Sequence, residues 1–183
     1  MNDKINIAVL LGTSREGRES IKAAKWVADQ FAKRGDMEVT FVDPAELNLP
    51  HDGDEERDAH FSEITAKADA FYVVTPEYNH SFPGSLKRML DSEYDNYFHK
   101  VIGTAGVSSG QWGGVRVCEA LIPVYHRLGL TIIMPELYFP NIQKLFDENG
   151  NLAADATERY ATNIKKVGDE LVWMAKALKA ARA

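Results

Sequence analysis

AFYVVTPEYNHSFPGSLKRMLD, residues 70–91, is the stretch that decides the fold. Its first five residues, Ala70 to Val74, are apolar at every position, as a strand buried on both faces requires. The chain then turns polar, with Pro76 and Pro83 stiffening a loop rich in hydrogen-bonding side chains. From Gly84 a helix is predicted, carrying Leu86, Met89 and Leu90 inward. A buried strand, a rigid polar loop and a helix in succession form half of a parallel βαβ unit.

The same pattern repeats on either side. Ile5–Leu11 is an apolar run that stops at Gly12-Thr13-Ser14, after which Ile21, Ala24, Val27 or Ala28, and Phe31 recur at helical spacing and Gly35 closes the helix. Glu38–Val42 predicts a second strand ending at Asp43-Pro44. The acidic stretch from His51 to Asp58 is expected as a solvated loop before a short helix through Ile64. Val101–Val107 predicts the fourth strand and Leu130–Met134 the fifth. The intervening helix, Gly113 to Leu128, is expected to kink or restart at Pro123. Asp147–Asn151 reads as a turn, and Tyr160, Ile164, Val167, Leu171, Met174 and Leu178 mark the packing face of a long terminal helix. Strands separated by helices imply right-handed crossovers and a doubly wound five-stranded parallel sheet with helices on both faces. The order 2-1-3-4-5 places a ligand crevice at the carboxyl ends of strands 1 and 3. With 183 residues and no linker or repeat, one domain over 1–183 is expected.

Charge and composition narrow the function. A formal net charge of -6 offers no broad basic surface for nucleic acid, although local arginines still suit one small anion. The single cysteine, Cys118, forms no disulfide within the chain, and Cys/His metal spacings are absent from the sequence. No apolar run approaches the roughly 18 residues of a membrane span and no secretory segment precedes Lys4, so a cytoplasmic protein is expected.

Three loops at neighbouring strand ends carry the chemistry. GTSREGRES, Gly12 to Ser20, combines hydroxyls, glycines and two arginines before a helix, which suits a phosphate monoester; a polar turn with Ser20 as helix cap is the plainer alternative. The spacing matches neither a Walker A loop nor GxGxxG. Pro76-Glu77-Tyr78-Asn79 presents a rigid edge to a flat heterocycle, with Ser85 as a cap of the next helix. GVSSGQWGGVR, Gly106 to Arg116, lets backbone approach a ligand closely and offers Ser108 or Ser109 as donors. Cys118, spaced with Val115, Ile122 and Tyr125, reads as a core thiol, and Trp26 and Trp173 as packing residues. Trp112 serves either to shield a ligand or to form a partner surface. The exposed aromatics of Glu93–Phe98 suit an interface. His80 is read as a turn or interface residue.

These residues resemble the NAD(P)H-dependent FMN reductases of the flavodoxin-like superfamily, which include quinone, azo and chromate reductases. PEYNHSFPGSLK is the most specific element, followed by GVSSGQWGGVR, GTSREGRES and LFDENGNL. The resemblance implies that Thr13, Ser14, Arg15, Arg18 and Ser20 surround an FMN phosphate. It further implies that Pro76, Glu77, Tyr78 and Asn79 line the isoalloxazine, and that Ser108 and Gly110 approach its other side. Hydride would pass from NADPH or NADH to the flavin and on to a small acceptor such as a quinone, in a homodimer or tetramer. The flavin would carry the chemistry, with no catalytic side chain and no metal. The competing reading is a flavodoxin-like electron carrier that holds FMN without oxidising a nicotinamide. A phospho-receiver domain lacks support, because strands 1 and 3 end in Gly-Thr-Ser and Thr-Pro-Glu rather than in an acidic pocket.

Overall fold

The protein is seen here in a computed structural model that describes residues 4–51 and 56–182. In chain order the elements are β1 (Ile5–Leu11), α1 (Ser20–Ala32), β2 (Met37–Val42), α2 (Ala59–Lys67), β3 (Ala70–Pro76), α3 (Gly84–Asp91), β4 (Val101–Val107), α4 (Val115–Arg127), β5 (Thr131–Ile132), β6 (Leu137–Phe139), α5 (Ile142–Leu145) and α6 (Thr157–Arg182). The strands pair in parallel in the order β2-β1-β3-β4-β5, and β6 also joins β4. This is the doubly wound α/β arrangement expected from the apolar runs.

Burial on both sheet faces explains why those runs do not alternate with polar residues. Ile5, Ile7, Val9 and Leu11 point into one layer with Ala24, Val27 and Phe31 of α1 and Ile164, Val167 and Leu171 of α6. Ala8 and Leu10 of β1, with Phe71 and Val73 of β3, point into the other layer. There they meet Phe61, Leu86, Met89, Leu121 and Tyr125 from α2, α3 and α4.

The edge of the sheet departs from expectation. The predicted fifth strand, Leu130–Met134, is regular only over Thr131–Ile132. Between the pairs Ile102↔Ile132 and Ala105↔Leu137, β4 advances three residues while the edge advances five, so Met134-Pro135 bulges outward before β6 resumes the pairing. Pro135 has no N–H for a ladder bond, and Met134 is 88% exposed. In α4 the helix continues through Pro123 rather than restarting. Its buried stripe is Val117, Cys118, Leu121 and Tyr125, whereas Val115 and Ile122 are exposed; the expected face with Cys118 was therefore rotated.

Other packing expectations divide. Trp26 meets Phe139 and Tyr160 edge-on, but Trp173 is 63% exposed and packs no core. Tyr97 is fully buried against Phe71, so the Glu93–Phe98 segment presents fewer exposed aromatics than expected. Of the acidic loop from His51 to Asp58, residues 52–55 lie outside the described residues. Asp58 caps α2, its carboxylate accepting the Phe61 N–H at 2.8 Å. Asp147 organises the predicted turn by accepting the N–H groups of Asn149 and Asn151.

Candidate active site

Gly12 and Thr75 bring the first two loops together. The Gly12 N–H donates to the Val74 carbonyl at 2.8 Å, and a Cβ at position 12 would lie only 2.2 Å from the Thr75 hydroxyl. Only glycine permits that approach. Tyr78 then reaches back to the Thr13 hydroxyl at 3.3 Å, and the Ser14 N–H donates to the Ser85 hydroxyl at 3.3 Å. Ser85 therefore ties loops rather than capping α3, whose N-cap is Pro83.

The second loop ends in a tight hairpin. Tyr78 and Ser81 exchange both backbone hydrogen bonds at 2.9 Å, and the residues between them, Asn79 and His80, have φ of 49° and 66°. Two successive left-handed residues are the mark of a type I′ turn, which asparagine tolerates better than most residues. The third loop is held against β6 and α5. Ser108 N–H donates to the Phe139 carbonyl, Asn141 N–H to that of Gly110, and Ile142 N–H to that of Ser108. Gly106 and Gly114 meet so closely that a Cβ on Gly106 would lie 2.4 Å from the Gly114 oxygen.

These loops enclose a cleft of about 350 Å³ lined by Arg15, Gly17, Arg18, Glu19 and Ser20, by Pro76, Glu77 and Tyr78, and by Val107, Ser108, Ser109, Ile142 and Gln143. Of the residues singled out from sequence, Arg15, Arg18, Ser20, Pro76, Glu77, Tyr78 and Ser108 line it together. Thr13 lies just beneath, buried, with its hydroxyl accepting the Arg15 N–H at 3.2 Å. Ser14, Asn79 and Gly110 stand outside the lining, Asn79 at the exposed hairpin tip. Ile142 and Gln143 were missed. Their segment follows only three regular strand residues, too few for a periodic pattern to announce it.

The polarity of the cleft is uneven. Glu19 pairs with Lys22, and Arg18 pairs with the buried Asp43 carboxylate while donating to the Arg15 carbonyl at 3.1 Å. Glu77 pairs with Arg116. The Arg15 guanidinium has no ion-pair partner among the described residues, so it contributes the unbalanced positive charge. Among the described residues four buried side-chain polar atoms find no hydrogen-bond partner, and two of them, Ser20 Oγ and Arg18 Nε, belong to this cleft, the others being Arg88 Nε and the Tyr97 hydroxyl oxygen. The two in the cleft flank the start of α1, where the N-cap, Glu19, makes no side-chain cap bond and the Lys22 N–H turns back to the Glu19 carbonyl at 3.1 Å, leaving the Ser20 and Ile21 N–H groups at the helix end. Ser20 is the first helical residue and not the cap. Orphaned polar atoms, a free arginine and a helix N-terminus fit a phosphate dianion. Among the described residues no cluster of three His, Cys, Asp or Glu is placed to hold a metal, and no helix is long and apolar enough to cross a membrane.

The family of NADPH-dependent FMN reductases matches residues 5–144, from β1 through the third loop to α5. The chain belongs to that family. As an FMN reductase family member it is an oxidoreductase that works with FMN and NADPH. It is 31% identical over 166 residues to a 2-hydroxy-1,4-benzoquinone reductase of Burkholderia sp., covering 85% of this chain and 90% of that one. It is 28% identical to a quinone reductase of Pseudomonas putida, over 83% and 87% of the two chains. Among solved structures, the NAD(P)H:(acceptor) oxidoreductase FerB of Paracoccus denitrificans superposes with a TM-score of 0.77 at 22% identity, over 94% of this chain and 98% of that one.

Proposed function

We propose that this FMN reductase family member passes hydride equivalents from NAD(P)H, through FMN held in the cleft, to a quinone or a similar flat acceptor. The observation that carries the reading is the pair of orphaned buried atoms, Ser20 Oγ and Arg18 Nε, beside the unpaired Arg15 at the N-terminus of α1. Burying a polar group without a partner costs about 1–3 kcal/mol, a cost that a bound phosphate removes.

In this reading Arg15 and Ser20 bind the phosphate, with Arg18 Nε and the Ser20 and Ile21 N–H groups of α1 completing its shell. Thr13 and Ser14 act from behind, their hydrogen bonds to Tyr78 and Ser85 fixing the loop that presents Arg15. Pro76, Glu77 and Tyr78 form one wall for the ring and Ser108 the opposite one, with Asn79 and Gly110 at the mouth. Bound FMN supplies the hydride-accepting and hydride-donating chemistry. The protein orients the ring, and the backbone N–H groups of the third loop offer dipoles to charge developing on it. The quinone reductase relatives, similar over most of their length, support a small quinone as acceptor. A homodimer or tetramer in the cytoplasm completes the proposal; light scattering on a size-exclusion column that gave a monomer at micromolar concentration would remove the oligomer.

The deciding experiment is an anaerobic visible spectrum of the FMN-reconstituted protein with NADPH and then NADH added. Rapid bleaching of the bound flavin, followed by recovery on adding a benzoquinone, is the expected result. Bound flavin that stays oxidised with both donors would favour an electron carrier, and failure to bind flavin would overturn the assignment of the cleft.

A further inference from the structure

We propose that Arg116 is a positioning residue that neutralises the Glu77 carboxylate on the wall of the FMN cleft, and that this pair sets the midpoint potential of the bound flavin. The proposal rests on the reading that the cleft holds FMN.

Glu77 is an awkward residue for such a wall. Its side chain is 11% exposed and lines the space that would receive a phosphate dianion and a ring that gains negative charge on reduction. An uncompensated carboxylate there would oppose both. The third loop supplies the compensation. Glu77 Oε2 accepts the backbone N–H of Arg116 at 3.1 Å, and Oε1 accepts from the Arg116 guanidinium at 3.4 Å. Both oxygens of one carboxylate thus face one residue.

Arg116 is held in place for this task. It stands in the first turn of α4, a helix of 13 residues whose N-cap, Gly114, has φ of 86° and no side chain to cap with. Glu77 fills that role from another loop, so the positive end of the helix and the guanidinium both act on it. The guanidinium also lies over the Trp112 ring, 5.8 Å from its centroid, which fixes the rim aromatic to the same cation. Meanwhile the Glu77 N–H continues the β3–β4 ladder to the Val107 carbonyl at 2.9 Å. The main chain of Glu77 is therefore fixed to the sheet end, and the two bonds from Arg116 hold its carboxylate.

A half-exposed ion pair of this kind contributes little to stability, and Arg116 is 44% exposed. Its effect is felt where the charge faces the ligand. Removing the Arg116 charge leaves Glu77 negative and unpaired; removing both charges restores neutrality. A merely structural clamp predicts the opposite order, with the double variant at least as impaired as the single.

The test is FMN affinity by fluorescence quenching, together with the midpoint potential against reference dyes, for wild type, Arg116→Gln, Arg116→Lys, Glu77→Gln and Glu77→Gln/Arg116→Gln. Arg116→Gln is expected to weaken FMN binding about tenfold and to lower the potential. Arg116→Lys keeps both near wild type. Glu77→Gln alone raises the potential, a result that decides the matter even if Arg116→Gln does not fold. The double variant returns toward wild type. An unmoved potential in Arg116→Gln or in Glu77→Gln, or a double variant no higher than Arg116→Gln, overturns the proposal while leaving FMN binding in place. Wild-type protein that binds no FMN takes down the reading of the cleft and this proposal together.

Discussion

Arg15 and Arg18 lie three residues apart in the same loop, yet their surroundings give them different work. Arg18 spends its charge on Asp43, a partner at the end of β2, whereas Arg15 is exposed and unpaired among the described residues. Arg15→Ala should therefore weaken FMN binding by about 1.5–3 kcal/mol, the range for a hydrogen bond to a charged group, and leave riboflavin binding nearly unchanged because riboflavin has no phosphate. Isothermal titration with both ligands checks this; equal losses for the two would place Arg15 elsewhere. That the loop binds an anion is legible in the sequence, since arginines, hydroxyls and glycines crowd together in an acidic chain. The Arg18–Asp43 pairing is not, because it joins residues on two different strand ends. Cys118 shows the same contrast in reverse. Burial, and then the charges of Glu136, Glu119 and Glu77, push its thiol well above the usual cysteine range, so it is held as the unreactive acid. A disulfide reagent at pH 8 should leave the native protein unlabelled and titrate one thiol after unfolding; fast native labelling would contradict the buried placement.

Elements were readable where a pattern ran long enough. β1, β3 and β4 are seven-residue strands that are apolar at most positions, interrupted by Asn6, Thr75 and Thr104, and α6 repeats its apolar positions over 26 residues. The edge was not, because β5 and β6 hold two and three residues around a bulge, and such fragments have no period. The rotated face of α4 has a similar origin: Val115 and Ile122 are as apolar as its buried residues, and hydrophobicity alone does not choose among several apolar stripes on one helix. What the sequence does not display is how closely elements approach. Gly106 in β4 touches the Gly113 and Gly114 carbonyls, and a Cβ there would lie 2.4–2.7 Å from backbone atoms that have no rotamer to escape by. Gly106→Ala should push the start of α4 off the sheet and widen the cleft, costing about 1–3 kcal/mol as overpacked cores do. A urea midpoint lowered together with weaker FMN binding is the expected outcome. Gly110→Ala, where a Cβ meets nothing within 4 Å, should leave the urea midpoint at its wild-type value. Equal stability losses at both positions would mean that contact geometry is not what selects glycine.

At the scale of the whole molecule the two ends of the sheet are built on opposite terms. The carboxyl end leaves buried polar atoms without partners among the described residues and brings glycines into close contact. The amino end is closed by charge. Asp69 accepts the Asn6 N–H, Lys179 and Arg182, which ties the last turns of α6 beneath β1 and β3. Beside it Lys100, 8% exposed, donates to the carbonyls of Thr65 and Ala66 at the end of α2, at 2.8 and 3.2 Å. Burial, with the Arg182 charge adding to it and Asp69 opposing, lowers the Lys100 pKa to about 8 from 10.5. Below pH 8 the ammonium is charged in folded and unfolded chains alike, and the folded state bears the full cost of burying it. Between pH 8 and 10.5 the unfolded chain binds the extra proton, so this residue's contribution to stability rises with pH, by on the order of 3 kcal/mol across the window. Lys100→Met loses the hydrogen bonds to α2 at every pH but also loses this slope. The difference in unfolding free energy, wild type minus Lys100→Met, should therefore increase steadily from pH 8 to 10.5 in urea titrations. A flat difference would mean that Lys100 keeps its ordinary affinity for protons and that water reaches it in the folded state. A rising one would show that burying the Lys100 charge at the amino end costs stability near neutral pH, and that this cost is lifted as the folded-state amine loses its proton.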